Sequence, residues 1–197
     1  MLKAEQKFYS PEDYFELENE AEYRSEYFRG EIFAMAGGTP NHNRLMLNFA
    51  NLLNTAFKGR SCEAFASDLR VRIDKEKHYT YPNVTAVCGE IVFAENRKDT
   101  VCNPVLIAEI LSDSTKDYDR GSKFTAYRNI KTLRDYVLIE QNRIHIEHFS
   151  KENDGTWRLR EYFNSEDMLI LESLGVGVSI CENYSRVSFT RFFKSFQ

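Results

Sequence analysis

The sequence predicts an α/β fold, a mixed β-sheet flanked by helices, on three observations. Residues 104–111 (PVLIAEIL) are apolar apart from one glutamate, which suits a central strand covered on both faces. Ser67 to Ile73 alternates strictly, the mark of a strand buried on one face. Leu45, Phe49, Leu52, Leu53, Ala56 and Phe57 recur at the spacing of one helical face. The 197 residues are enough for one domain with a real core. No repeat, linker or low-complexity tract divides them.

The elements follow in order. Ser10 can cap a helix over 10–20, with Pro11 at its first position and Glu12 and Asp13 in its first turn. Tyr23 to Met35 reads as a pair of short strands or a bent one around Gly30, and opens a core running to about residue 150. Gly37-Gly38-Thr39-Pro40 breaks the chain before the long helix, which Gly59 ends. A second strand is expected from Tyr81 to Cys88, after a lysine-rich turn at 74–77. Ser114-x-x-Asp117 has the form of a helix start, with the helix running to about Asn129. Strands are expected at 135–141 and 143–149. A turn at Asn153-Asp154-Gly155 precedes a C-terminal region over 155–197, with strands at 157–163 and near 169–180 and then an aromatic, basic tail.

Composition narrows function only a little. A net charge of −4 argues against a protein that coats nucleic acid through bulk positive charge, and leaves room for a local basic rim. Cys62, Cys88, Cys102 and Cys181 form no C-x-x-C pair, so buried free thiols are expected rather than a zinc or redox site. No run approaches the roughly 20 apolar residues that span a bilayer. The first residues carry no apolar stretch suited to secretion, so the cytoplasm is expected.

Glu109 carries the most chemistry. An ionised carboxylate inside an apolar strand costs several kcal/mol unless compensated, so it is either a structural ion partner or a metal ligand or acid/base group at the strand's end. Alternation places Tyr81, Asn83 and Thr85 on one strand face. Asp119, Lys123 and Tyr127 share one helical face at successive i, i+4 spacings. The plain reading of Asp119 and Lys123 is an exposed ion pair worth about 0.3–0.5 kcal/mol.

Taken together these segments resemble the Uma2 family (DUF820) of restriction endonucleases, within the PD-(D/E)xK nuclease superfamily. Tyr81-Pro82-Asn83-Val84 is similar to its YPDV strand, residues 103–112 to the strand after it, and Tyr118-Asp119-Arg120-Gly121-Ser122-Lys123 through Tyr127 to the following helix. Gly30-Glu31, Asn41-His42-Asn43 and Ser67-Asp68-Leu69 match upstream. The resemblance spans roughly residues 8 to 185. It implies a restriction-endonuclease-like core, DNA as substrate, and one or two Mg²⁺ (or Mn²⁺) ions held by an aspartate and a glutamate. On it, Glu109 is a metal ligand and Lys123 the cation that orients water and offsets phosphate charge. Glu31 is a further metal ligand or a solvated residue after a turn. His42, Asp68, Ser112 and Tyr127 are substrate-side candidates. Against these stand plainer roles: capping or packing for His42, a surface ion pair with Arg70 or Arg72 for Asp68, and a helix cap for Ser112.

The sequence departs from the pattern at Asn83, where an aspartate is called for. The amide is nearly isosteric but brings no negative charge, and Mg²⁺ relies on its one or two carboxylates. Two functions follow as expectations: a metal-dependent DNA endonuclease weakened or inactivated at position 83, and a nuclease-fold module that binds nucleic acid or a protein without cutting. Phe189, Phe192, Phe193 and Phe196 lie among Arg186, Arg191 and Lys194, so the tail packs on its own domain, forms a homodimer contact, or stacks on bases.

Overall fold

A computed structural model describes residues 7–35, 37–73 and 78–189. The expected lysine-rich turn at 74–77 and the tail from residue 190, with Arg191, Phe192, Phe193, Lys194 and Phe196, lie outside the described residues. The fold is α/β with mixed sheets, as the sequence predicts.

The first layer starts at α1 (Pro11–Glu20), capped by Ser10, whose hydroxyl accepts from the Asp13 amide at 3.0 Å. Strands β1 (Ser25–Phe28) and β2 (Glu31–Ala34) form a hairpin through Arg29 (φ 49°) and Gly30 (φ 91°). Two successive left-handed residues match the right-handed twist of the strands they join, and glycine takes that conformation without a Cβ clash. These strands join β4 (Arg70–Arg72), β5 (Tyr79–Thr80) and β7 (Thr100–Val101) in a sheet of order β2-β1-β5-β4-β7.

The larger sheet has the order β11-β10-β9-β8-β6-β3. Its strands are β3 (Cys62–Ala66), β6 (Val84–Cys88), β8 (Leu106–Leu111), β9 (Asp135–Glu140), β10 (Ile146–Lys151) and β11 (Trp157–Tyr162). Only β8 and β9 run parallel within it. Helix α2 (Pro40–Ala56) covers one face, and Leu45, Phe49 and Leu53 are fully buried against Leu106, Ala108 and Ile110 of β8. Each such side chain contributes about 2 kcal/mol of burial free energy. On the other face Ile107 and Leu111 pack with Tyr127, Leu133, Tyr136 and Leu138. Strand β8 is therefore covered on both faces, as its apolar run predicts, and Glu109 points into the second face.

Asparagines on α2 serve as sockets for backbone. Asn54 exchanges two 2.8 Å hydrogen bonds with Ala64 of β3. Asn48 donates to the Asn183 and Ser185 carbonyls, and Asn41 pairs with Ser188, so the last described segment lies along the helix.

Several expected boundaries are corrected. Residues 67–73 are not one alternating strand: Ser67 takes φ 66° and breaks it, and Arg70 is as buried as Val71 because it has its own ion partners. The strand expected from Tyr81 pairs only from Val84, because Pro82 lacks an amide to donate. Tyr81 therefore turns toward Glu18 and Arg70 rather than sharing a face with Asn83. The helix expected to reach Asn129 is α3 (Lys116–Tyr118), a π-turn (Asp119–Lys123) and α4 (Phe124–Tyr127). Its N-cap is Thr115 rather than Ser114, with no side-chain cap, and the Ser112 hydroxyl accepts from the Thr115 amide at 3.2 Å in the turn before it. The single last strand is instead the hairpin of β12 (Met168–Leu171) and β13 (Val176–Ser179), followed by α5 (Ile180–Asn183).

The expectation of four buried free thiols fails. Antiparallel register sets Cys62 opposite Cys88 with Cα atoms 4.0 Å apart, and the two form a disulfide. Cys102 is free and half-buried; Cys181 is free and exposed. Among the described residues no helix is long and apolar enough to cross a membrane.

Candidate functional site

The site forms where the two sheets meet. Strand β8 is committed on both faces to apolar packing, so Glu109, 3% exposed, must find its partners inside the protein. It finds them on the α3–π–α4 segment. Lys123 Nζ lies 2.9 Å from Glu109 Oε1, and Tyr127 Oη donates to the same oxygen at 2.9 Å. Tyr127 Oη also lies 3.1 Å from Thr80 Oγ1 of β5.

The ammonium has two further carboxylate neighbours. Glu26 Oε1 of β1 is 3.0 Å from Lys123 Nζ and accepts from the Tyr81 amide; Asp119 Oδ1 is 3.7 Å away. All four groups are buried. Asp119 and Lys123 thus share a face as predicted, but they line the interior, and the exposed-pair reading is overturned.

The opposite rim is built by Asn83 and His42. Asn83 Oδ1 accepts from the Ile110 backbone amide at 2.7 Å, and the backbone N–H of Asn83 donates to Glu109 Oε2 at 3.3 Å. A backbone N–H can meet only an acceptor, so the side-chain oxygen is fixed toward Ile110 and Nδ2 faces outward. It lies 3.2 Å from His42 Nε2. Nδ2 can only donate, so Nε2 accepts and His42 is neutral, with its proton on Nδ1. Burial also lowers the His42 pKa, in the same direction.

Electrostatics follow from one ammonium among three buried carboxylates. Burial pushes Glu109 up to about 7 against the pull of Lys123, with Asp119 and Glu26 adding repulsion. Burial likewise raises Asp119. For Lys123 burial opposes the charge, but Glu109, Glu26 and Asp119 outweigh it and hold its pKa well above the ordinary value. The cluster is poised near neutrality for one proton, at Glu109.

The donor set does not fit Mg²⁺ as it stands. Lys123 occupies the point between the carboxylates where a cation would sit. Glu109 Oε1 is engaged by Lys123 and Tyr127, and the Asn83 oxygen is neutral and committed to Ile110. Among the described residues no group of three or more His, Cys, Asp or Glu is arranged to hold a metal ion. Mg²⁺ needs hard anionic oxygens in near-octahedral geometry, and the side chain at position 83 offers none.

Of the residues singled out from sequence, Glu109, Lys123, Asn83, His42 and Tyr127 converge. Ser112 caps the turn after β8, its hydroxyl also within 3.0 Å of Ser114 and 2.9 Å of Thr115. Asp68 is exposed and meets Ser67 at 3.5 Å; the ion pair expected with Arg70 does not form, because Arg70 turns inward to Glu18 and Asp99. Glu31 opens the edge strand β2 opposite Phe28, and the carboxylate this hairpin gives to Lys123 is Glu26. Glu26 was missed. Its signal is an acid sharing a strand face with Phe28, the same conflict of charge and apolar pattern that marks Glu109.

Comparison with known proteins agrees with this architecture. The chain is 39% identical over 161 residues to the uncharacterised protein sll1609 of Synechocystis sp., covering 82% of this chain and 91% of that protein. It is 35% identical over 182 residues to slr1290 of the same organism, covering 91% and 93%. The fold matches the crystal structure of "a putative nuclease belonging to DUF820" from Anabaena variabilis, with a TM-score of 0.74 at 18% identity, covering 90% of this chain and 98% of that one. Residues 11–182 match the family model Uma2, described as "putative restriction endonuclease", and the chain belongs to that family.

Proposed function

We propose that this chain is a nuclease-type phosphodiesterase directed at DNA whose hydrolytic centre is attenuated by Asn83. The observation that carries the reading is the 2.9 Å contact of Lys123 with Glu109 beside Asn83, buried where the two sheets meet. A fixed ammonium offsets the charge that builds on a phosphoryl group as it reacts. A carboxylate with a pKa of about 7 takes a proton from water near neutral pH, where general bases work best. Tyr127 and the backbone N–H of residue 83 hold that carboxylate in place.

Enzymes of this kind use Mg²⁺ or Mn²⁺ to polarise phosphate and water. Here the ion needs a carboxylate at position 83, so the metal-dependent step belongs to the Asn83→Asp variant. The decisive comparison is between this protein and Asn83→Asp on plasmid and single-stranded DNA, with Mg²⁺ and then Mn²⁺. Glu109→Ala and Lys123→Ala in the Asn83→Asp background are the controls. Cleavage by the variant, lost in both controls, is expected. A folded variant inert with both metals on both substrates defeats the hydrolase reading.

A second reading, DNA binding without cutting, is favoured by the Asn83 side chain itself. Its oxygen is taken by Ile110 and one hydrogen of its NH₂ by His42, leaving no acceptor oxygen turned to a metal ion. Salt-sensitive DNA binding by a protein that stays inert even as Asn83→Asp distinguishes it.

A further inference from the structure

The rim of the site that is only half-buried is the start of α2, at His42, and three other features meet there. Thr39, which caps α2, donates to Gln141 Oε1 at 2.5 Å, and Gln141 follows β9 directly. Asn41 donates to the Gln141 carbonyl at 3.5 Å and to the Ser188 carbonyl at 2.8 Å, and accepts from the Ser188 amide. Tyr184 Oη donates to the Glu140 carbonyl and accepts from the His145 amide, tying the last segment to the β9–β10 turn.

Each of these elements carries an exposed arginine. Arg44 lies on the face of α2 that carries Asn41, one turn on, and its Nη1 donates to Asn41 Oδ1 at 3.3 Å. Arg143 sits in the β9–β10 turn, with Nη2 3.2 Å from His145 Nδ1 and its charge acting on Tyr184. Arg186 lies between Tyr184 and Ser188 on the segment that Asn41 and Asn48 hold against α2. Among the described residues none of the three is in an ion pair; other arginines, such as Arg24, Arg60 and Arg160, are unpaired as well, and what sets these three apart is that hydrogen bonds tie their elements together at one rim. Acids lie close by, Glu140 and Glu182, but Glu140 faces Arg120.

We infer that Arg44, Arg143 and Arg186 form a strip on which the phosphate backbone of duplex DNA rests beside the His42–Asn83 rim. The inference builds on the proposed action on DNA and names the surface that binds it. A protein of net charge −4 cannot bind DNA through its overall field, so attachment must be local. Arginine suits the task because its planar fork matches phosphate oxygens bidentately. Asn41 and Gln141 hold the three elements together, which sets the spacing of the backbone positions that carry the arginines.

The test measures binding of a fluorescein-labelled duplex as a function of salt. It compares the protein with the triple variant Arg44→Ala/Arg143→Ala/Arg186→Ala. A second triple variant, Arg128→Ala/Lys131→Ala/Arg134→Ala, removes the same charge around the other end of β9. Circular dichroism melting checks that both remain folded. With one phosphate contact per arginine, the first variant should lower the slope of log K against log salt by about 2.7, the second by little. Binding by the parent with an unchanged slope in the first variant overturns the strip while leaving action on DNA standing. An equal fall in both variants also overturns it, since bulk charge would then suffice. No binding by the parent at any salt overturns the strip and the DNA reading together.

Discussion

At position 83 a single atom decides which groups the side chain can meet. The Ile110 amide fixes which end of the Asn83 side chain faces inward, so the outward atom is an NH₂ that donates to His42 Nε2. Asn83→Asp would place an acidic oxygen there instead. Two acceptors cannot share a hydrogen bond, so His42 must turn an N–H toward it, by changing tautomer or by taking a second proton, and the carboxylate's charge favours the protonated form. An opposite charge at this range raises a histidine pKa by about 1 or more. NMR titration of His42 in the two proteins checks this, and an unchanged pKa would show that the carboxylate turns away. The sequence made part of this environment legible. Glu109 stood out because a charge in an apolar strand is costly, and Lys123 and Tyr127 because their spacing put them on one face. The inward direction of that face was not legible, since an i, i+4 acid–base pair looks the same on either side of a helix. Nor was the contact between His42 and Asn83, which are 41 residues apart and joined only by tertiary packing.

Among the elements, the α3–π–α4 segment delivers the cation. Its π-turn spans Asp119 to Lys123, both buried, and Tyr136 Oη donates to the Asp119 carbonyl at 3.0 Å, fixing the widened turn. Wider turns of this kind recur at functional sites, and no period in the sequence signals one: residues 114–129 read as ordinary helix. Removing its ammonium leaves Glu26, Glu109 and Asp119 buried without a cation. Lys123→Met is therefore expected to cost about 3–5 kcal/mol in urea denaturation, the usual result of breaking a buried ion pair from one side. Adding Glu109→Gln should recover part of the loss, because one of the uncompensated charges goes with it. A loss for Lys123→Met below about 1 kcal/mol would mean that water already reaches the cluster. The edge strand β3 is secured differently, by the Cys62–Cys88 bond across 26 residues. Cross-linking a loop of that length is worth roughly 3.5 kcal/mol in the chain-entropy account, so Cys62→Ser should lower the unfolding free energy in urea by that amount, and reduction of the parent should match it. The pairing was not legible because it depends on strand register: Cys62 and Cys88 become neighbours only once β3 and β6 are aligned.

For the whole molecule, the site doubles as a joint between the two sheets, because Glu26 belongs to the smaller sheet and Glu109 to the larger. A second network, the buried Glu18–Arg70–Tyr81 cluster with the exposed Asp99 at its edge, ties α1 to the smaller sheet. The two networks give opposite pH dependence. Asp99 is lowered to about 2, first by its hydrogen bond from Arg97. Its contribution is therefore present above the unfolded value of 3.8 and is lost as pH falls toward 2. Glu109 is raised from 4.5 to about 7, chiefly by burial. Between those values the folded protein holds a proton that the unfolded chain has released, so unfolding releases protons and stability must fall as pH rises through that window. Urea midpoints across the window should therefore decline for the parent and decline less for Glu109→Gln, which has no proton to lose at that position. If the two proteins show the same slope, Glu109 is already ionised in the folded state. Lys123 would then hold it as a settled ion pair, and the proton-accepting role near neutral pH would have to pass to another group.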